Sequence, residues 1–217
     1  GKFEAIVLSA LTNVMQDIGR LASDIILFSM PEFGFFLLPE RLCTGSSLMP
    51  QKRNPDLLEL ARANGAVLLA HEASVRQITQ GLISGYHRDL QLTKGPLMEG
   101  IDITAKTLEI MALVCRELEF DRTRCREACT PELFATDAVL ELVKRGVVFR
   151  DAYRKVADDP SLAGAVDPRR LLATRKSLGG TANLGLRKLD RDIRSVLARV
   201  NADDRRIRSV IRALTGA

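Results

Sequence analysis

The sequence predicts an all-α protein, a bundle of long helices followed by a small helical domain, and three observations carry that expectation. Apolar residues recur at helical spacing over stretches of twenty residues and more. Leu, Ala and Arg are abundant while aromatics make up 5% and Trp is absent, a mix that favours helices over strands. The texture then shifts after about residue 120 to shorter periodic pieces. The expected division is therefore residues 1–120 as the bundle part and 121–217 as a small helical C-terminal domain.

The first helix spans residues 3–30, with Phe3, Ile6, Val7, Leu11, Val14, Ile18, Leu21, Ile25 and Phe28 on one stripe. It would be about 40 Å long at about 1.5 Å per residue. No capping residue precedes it and the pattern already runs at residue 3, which reads as a chain that begins partway through a longer helical protein. Pro31 ends it, and residues 31–54 form a connection rich in Pro, Gly and Ser. A second helix starts with Asn54 as N-cap and Pro55 at its first position, with Asp56 and Glu59 near its positive end. Leu57, Leu58, Leu60, Ala61, Leu68, Leu69 and Val75 carry it towards Gln80, and Gly81 and Gly85 break it. A third helix covers residues 96–117 through Leu97, Ile101, Leu108, Met111 and Cys115. Helices this long do not bury their apolar faces within one small chain, so an oligomer is expected.

The shorter pieces fall at 136–145, closed by Gly146, at 149–159, closed by Pro160, near 168–176, and at 184–200 and 203–214. Arg205, Arg206, Arg208 and Arg212 cluster in the last of these and contribute to a net charge of +5. No aromatic platform or nucleic-acid module accompanies them, so they read as a solvated helix face and no nucleic-acid partner is expected. Cys43, Cys115, Cys125 and Cys129 fit no CxxC zinc spacing and have no histidine close by, so reduced thiols and no metal are expected. No secretory signal is visible and no apolar run reaches the length of a membrane span, which points to a cytoplasmic protein without a membrane partner.

The chemistry concentrates in Gly45-Ser-Ser-Leu-Met-Pro-Gln-Lys-Arg-Asn-Pro-Asp56. Two adjacent hydroxyls on a glycine-bearing loop precede Lys52 and Asn54 close to a helix N-terminus, where backbone N–H groups and the helix dipole favour an anion. A carboxylate that gains charge when a neighbouring proton leaves could be stabilised there. A serine is a weak base unless its pKa falls, and a cationic, donor-rich loop is where that can happen. The same residues also fit a plain Ser/Gly/Pro connector ahead of a well-capped helix.

This segment resembles the GSSxMPxKxN signature of the fumarase/aspartase superfamily at every specified position. The resemblance implies the long-helix bundle of that superfamily and a β-elimination that releases fumarate from a succinyl compound. It implies Ser46 as the general base that removes the Cβ proton, with Ser47 beside it, and Lys52 and Asn54 holding a substrate carboxylate. The extended match TGSSLMPQK-NPD-LEL is similar to the argininosuccinate lyase family, with Arg53 where a Lys is expected. In that family an acid at the position of Glu59 orients a catalytic His from elsewhere in the protein, although a first-turn acid needs no such role. Gly85-Tyr-His-Arg-Asp-Leu-Gln-Leu-Thr-Lys94 resembles a second family stretch, which implies Tyr86, Gln91 and Lys94 as substrate contacts. His87 replaces an Asn there and reads as a loop residue, and His71 reads as a packed or paired one. Leu133–Gly146 with Phe149–Ala152, and the Gly-Gly-Thr-Ala element at 179–182, extend the likeness to about residue 200.

On this resemblance the chain is the C-terminal half of an enzyme that turns argininosuccinate into arginine and fumarate without a cofactor. Family members assemble as homotetramers whose sites draw on three subunits, and a catalytic His and a Ser/Arg/Asn-rich loop belong to the other half. The alternatives are another superfamily lyase, such as an adenylosuccinate lyase, and a crystallin-like assembly protein that kept the fold and lost the activity.

Overall fold

A computed structural model describes residues 1–164 and 168–216 and divides the chain into two compact units, Gly1–Ala128 and Cys129–Ala217. In the first unit three long helices pack together: α1 Lys2–Ser29, α2 Asp56–Thr79 and α3 Lys94–Glu117. Two clusters of buried residues show how they run. Near one end, Ala5 and Leu8 of α1 meet Leu68 and Val75 from the second half of α2. Near the other, Ala22 and Ile25 meet Leu58 and Ala61 of α2 and Met111 and Val114 of α3. α2 is thus antiparallel to both α1 and α3.

The helices touch closely where α3 carries Gly100. A Cβ there would lie 2.6 Å from Leu8 Cδ2 and 2.8 Å from Leu68 Cδ1, two side chains with no exposed surface. Two polar side chains inside the bundle are paired: Thr104 Oγ1 donates to Gly100 O at 2.7 Å, and Asn64 Nδ2 donates across to Thr107 Oγ1 at 3.0 Å.

At the α1 C-terminus the chain turns at Pro31 and Gly34, whose φ of +59° suits glycine. β1 Phe36–Leu37 then pairs antiparallel with β2 Glu119–Phe120, which follows α3. Phe36 and Phe120 stack edge to face with centroids 5.2 Å apart, and Phe28, Phe33 and Phe35 continue the cluster. A 3₁₀ turn at Glu40–Leu42 follows, where Arg41 pairs with the largely covered Glu117 at 2.6 Å. α4 Arg122–Glu127 closes the unit; the Asp121 carboxylate caps it by accepting from the N–H groups of Thr123 and Arg124.

Two helix starts differ from the sequence expectation. Asn54 is not the N-cap of α2, because its backbone is committed to an antiparallel bridge with Thr44 and Pro55 occupies the position before the helix. α3 begins at Lys94, not at residue 96, because the 3₁₀ turn Arg88–Thr93 feeds straight into it and leaves Pro96 in the first turn, where a missing N–H has no helical partner to lose.

The second unit holds a 3₁₀ turn at Pro131–Phe134, α5 Ala135–Lys144, α6 Phe149–Asp158, α7 Ser161–Gly164, α8 Pro168–Thr174 and α9 Leu186–Thr215. Ala138, Val139, Ala152, Val156 and Ala163 form its core. Asp137 of α5 pairs with Arg175 at 2.6 Å. The Gly-Gly-Thr-Ala element is a tie between α8 and α9. Gly179 has φ +86°, Gly180 N–H donates to Ser177 O at 2.8 Å, and Thr181 Oγ1 donates to Leu172 O at 2.7 Å. A Cβ on Gly180 would stand 2.5 Å from the Arg175 carbonyl oxygen, so the turn has no room for a side chain there.

α9 is one helix of 30 residues where two were expected. The expected break at Asn201-Ala202 contains neither Gly nor Pro. Asp190–Arg194 and Asp204–Arg208 pairs at i, i+4 support the helix on either side of it.

Candidate active site

The loop that carries the signature is closed at its base. Thr44 N–H donates to Asn54 O at 2.9 Å and Asn54 N–H donates to Thr44 O at 2.8 Å. Thr44 Oγ1 also donates to the Asp56 carboxylate at 2.5 Å, which ties the loop to the first turn of α2. Asn54 therefore holds the loop with its backbone and keeps its side-chain amide for other use. Arg53 reaches Glu40 at 2.5 Å and Pro50 O at 3.3 Å, so the Arg that stands where a Lys is expected braces the loop against the preceding 3₁₀ turn.

Within this closure Ser46 Oγ accepts from two backbone N–H groups, Leu48 at 3.2 Å and Met49 at 3.1 Å. Donors of that kind favour the oxygen when it carries negative charge, the condition a serine base requires. Ser46 is half-buried, while Ser47 and Lys52 are exposed. No ion pair engages Lys52 among the described residues, which leaves its ammonium free for an anion. These two amides are partners of Ser46 that a reading of side chains passes over; the one hint was the position of Ser46 two and three residues before them in a turn-forming stretch.

Glu59, on the first turn of α2, borders a hollow of about 340 Å³ together with Met30, Phe36, Cys43, Arg53 and Pro55. Burial pushes the Cys43 thiol up, with Arg53 pulling the other way, so the group stays protonated at neutral pH. The histidine that Glu59 is expected to orient is not supplied locally. His71 lies twelve residues further along α2 and pairs with Glu99 at 3.5 Å, and His87 Nε2 bonds the Ile83 carbonyl at 2.8 Å beyond the end of that helix. Among the described residues no group of His, Cys, Asp and Glu is arranged to hold a metal, and no helix is long and apolar enough to cross a membrane.

Tyr86, Gln91 and Lys94 form one chain of hydrogen bonds. Lys94 Nζ donates to Gln91 Oε1 at 2.7 Å and Gln91 Nε2 donates to Tyr86 OH at 2.9 Å. The Tyr86 hydroxyl is left with its own proton to donate, and Lys94 retains two N–H groups. The set is exposed and offers donors to an anionic partner. It precedes and begins α3, at the opposite end of α2 from the Ser46 loop. The 24 residues of α2 separate the two by about 36 Å at 1.5 Å per residue. Ser46, Ser47, Lys52, Asn54 and Glu59 are thus brought together at one end of the bundle, and Tyr86, Gln91 and Lys94 at the other.

Comparison with known proteins places these features in context. Residues 3–68 match the model of a family described as lyase. The argininosuccinate lyase of Sorangium cellulosum is 49% identical over 198 residues, covering 89% of this chain and 46% of that protein. The argininosuccinate lyase of Thermotoga neapolitana is 49% identical over 158 residues, covering 73% of this chain and 40% of that protein. The chain therefore spans less than half the length of these relatives. An EDDS lyase in complex with formate superposes with a TM-score of 0.71 at 20% identity, over 90% of this chain and 46% of that one. The class II fumarase of Schistosoma mansoni follows with a TM-score of 0.58 at 17% identity, over 77% of this chain and 40% of that one. At such identities these structures speak for the fold alone.

Proposed function

Since the chain belongs to the lyase family of the fumarase/aspartase superfamily, we propose that it is the C-terminal half of an argininosuccinate lyase and carries the base of the reaction. In that reaction Ser46 Oγ takes a proton from the Cβ of the succinyl group. The electron pair left behind spreads into the adjacent carboxylate as an aci-carboxylate. When the pair returns to form the carbon–carbon double bond, the bond from Cα to the guanidino nitrogen breaks and that nitrogen takes up a proton. Fumarate and arginine are the products, which would place the enzyme in arginine biosynthesis.

The observation that carries this reading is the cradle around Ser46: two backbone N–H donors on its oxygen in a loop pinned by Thr44 and Asn54. Fixed donors stabilise the charged oxygen without reorganising at the moment of reaction. Lys52 and the Asn54 amide are within the same loop to take the carboxylate whose charge grows. Glu59 would orient a histidine supplied by the other half of the protein. The chemistry asks for no metal or organic cofactor, because donors and cations of the protein meet the developing charge.

The distance between the two clusters supports assembly. One small substrate cannot touch both ends of a helix about 36 Å long, so each end serves a different site and each site is completed by other chains. The bundle also leaves Leu60, Leu69, Met98 and Ile101 exposed, an apolar surface suited to helices from further copies in a cytoplasmic homotetramer.

The test is fumarate release from argininosuccinate by the complete enzyme. Ser46→Ala is expected to lower kcat by more than about a hundredfold, the general acid–base scale. Ser47→Ala is expected to fall far less. Near-native kcat in Ser46→Ala removes Ser46 from the base role.

A further inference from the structure

α9 presents a seam with no partner among the described residues, and its pattern is that of a coiled coil. None of its residues is buried. Leu186, Leu189, Ile193, Val196, Val200, Ile207, Val210 and Leu214 follow one another at alternating steps of three and four, with Asp203 filling the one gap in the series. All eight apolar members are between 47% and 81% exposed. Spacing of this kind over four heptads keeps one stripe facing one partner along a left-handed supercoil. In heptad notation the interior a positions are Ile193, Val200 and Ile207, and the d positions are Leu189, Val196, Asp203 and Val210.

We propose that α9 pairs with α9 of a second copy of this chain as a parallel, in-register coiled coil. The charges beside the seam select that occupant and that orientation. Arg199 stands at g, and in a parallel pair it faces e of the other helix, which is Asp204. The contact occurs twice by symmetry. Arg206 stands at the next g, so the polar layer made by the two Asp203 side chains is bordered by Arg199 one turn before it and Arg206 one turn after. Two copies contribute four carboxylates and four guanidinium groups to this belt, which balances. Asp204 bonds Arg208 of its own helix at 2.7 Å and has oxygen lone pairs left for Arg199 of the neighbour. The antiparallel pairing that centres the overlap instead sets Arg199 against Arg206 of the neighbour, twice by symmetry, which is repulsive at both places. A single polar layer at Asp203 lowers the stability of the pair but admits one register.

This contact is independent of the lyase reading and of the bundle faces. It is tested by cysteine cross-linking of the full chain with its native thiols retained. Val196→Cys, at a d position, is expected to give a disulfide between positions 196 of two copies on mild oxidation, identified by mass spectrometry of the linked peptides. Ser195→Cys, on the outer face, is expected to give no such link. Adding Ile207→Glu to Val196→Cys is expected to abolish the link while circular dichroism stays helical. A link from position 196 to any other part of the chain, equal linking in Ser195→Cys, or no 196–196 link overturns the proposal. A link between positions 193 and 210 of two copies carrying Ile193→Cys and Val210→Cys overturns the parallel orientation.

Discussion

The division of the candidate site between two ends of α2 leads to a quantitative test by subunit mixing. Ser46 and Lys94 lie at opposite ends of α2, a helix about 36 Å long, so a site that needs both takes them from different chains. Ser46→Ala and Lys94→Met are each expected to leave less than about 1% of native fumarate release when expressed alone, as chemistry or substrate binding is lost at every site. In a randomly mixed oligomer formed by equal co-expression, a site is native when its Ser46 comes from a Lys94→Met chain and its Lys94 from a Ser46→Ala chain. Each condition holds for half of the chains, so about one site in four is restored and activity rises to about 25% of native. Ser46→Ala mixed with Lys52→Met is the control, because both residues lie in the same loop and no arrangement of chains rebuilds it. Activity is read as fumarate formed per active assembly, with the mixing ratio verified by mass spectrometry. A Ser46→Ala and Lys94→Met mixture no more active than the mean of its parents refutes the two-site division, as does recovery in the same-loop control.

Three further outcomes concern the scaffold. Gly100→Ala forces a methyl into space already held by Leu8 and Leu68; overpacking outweighs the better helix propensity of Ala, and a loss of about 1–2 kcal/mol in urea unfolding is expected, whereas a stabilised variant would show that the helices part freely. Asp121→Ala removes the acceptor of two N–H groups at the start of α4, with an expected loss of about 1 kcal/mol and faster amide exchange at Thr123 and Arg124; unchanged exchange contradicts the cap. Burial pushes the Glu72 carboxyl up, but the Arg76 guanidinium bonded to it at 2.8 Å, together with the Thr12 and Ser9 hydroxyls, outweighs this and holds the group below its ordinary value. A depressed carboxyl stabilises the fold above its unfolded pKa and ceases to do so as pH falls through the folded one. The share lost below about pH 4.5 is expected to be about 0.5 kcal/mol and to vanish in Glu72→Gln; an identical acid slope in that variant rejects the account.

The sequence by itself determined the fold class, the reach of the long helices and the place of the signature loop, because each rests on local signals. Periodicity marks α1 and α3 within two residues at every end, since an apolar stripe must recur at 3.6 residues to meet a core. The order of Ser46, Lys52 and Asn54 is a chemical pattern that needs no fold to be legible. Local signals also misled. Asn54 has the chemistry of a cap, yet a bridge to Thr44 engages its backbone, and that partner lies outside any capping pattern. Asn201-Ala202, followed by Asp203 and Asp204, imitates a break in α9, yet without Gly or Pro the helix continues. Only the tertiary structure decided what depends on contacts distant in sequence. The two-residue strands at Phe36 and Glu119 are too short to carry a pattern and exist because the chain ends of α1 and α3 meet. The amides on Ser46 take their positions from a closed loop. The separation of Ser46 from Lys94 follows from α2 running its full length between them, antiparallel to both neighbours. Spacing along the chain records which residues follow one another, whereas the packing of helix on helix fixes which of them can share a substrate.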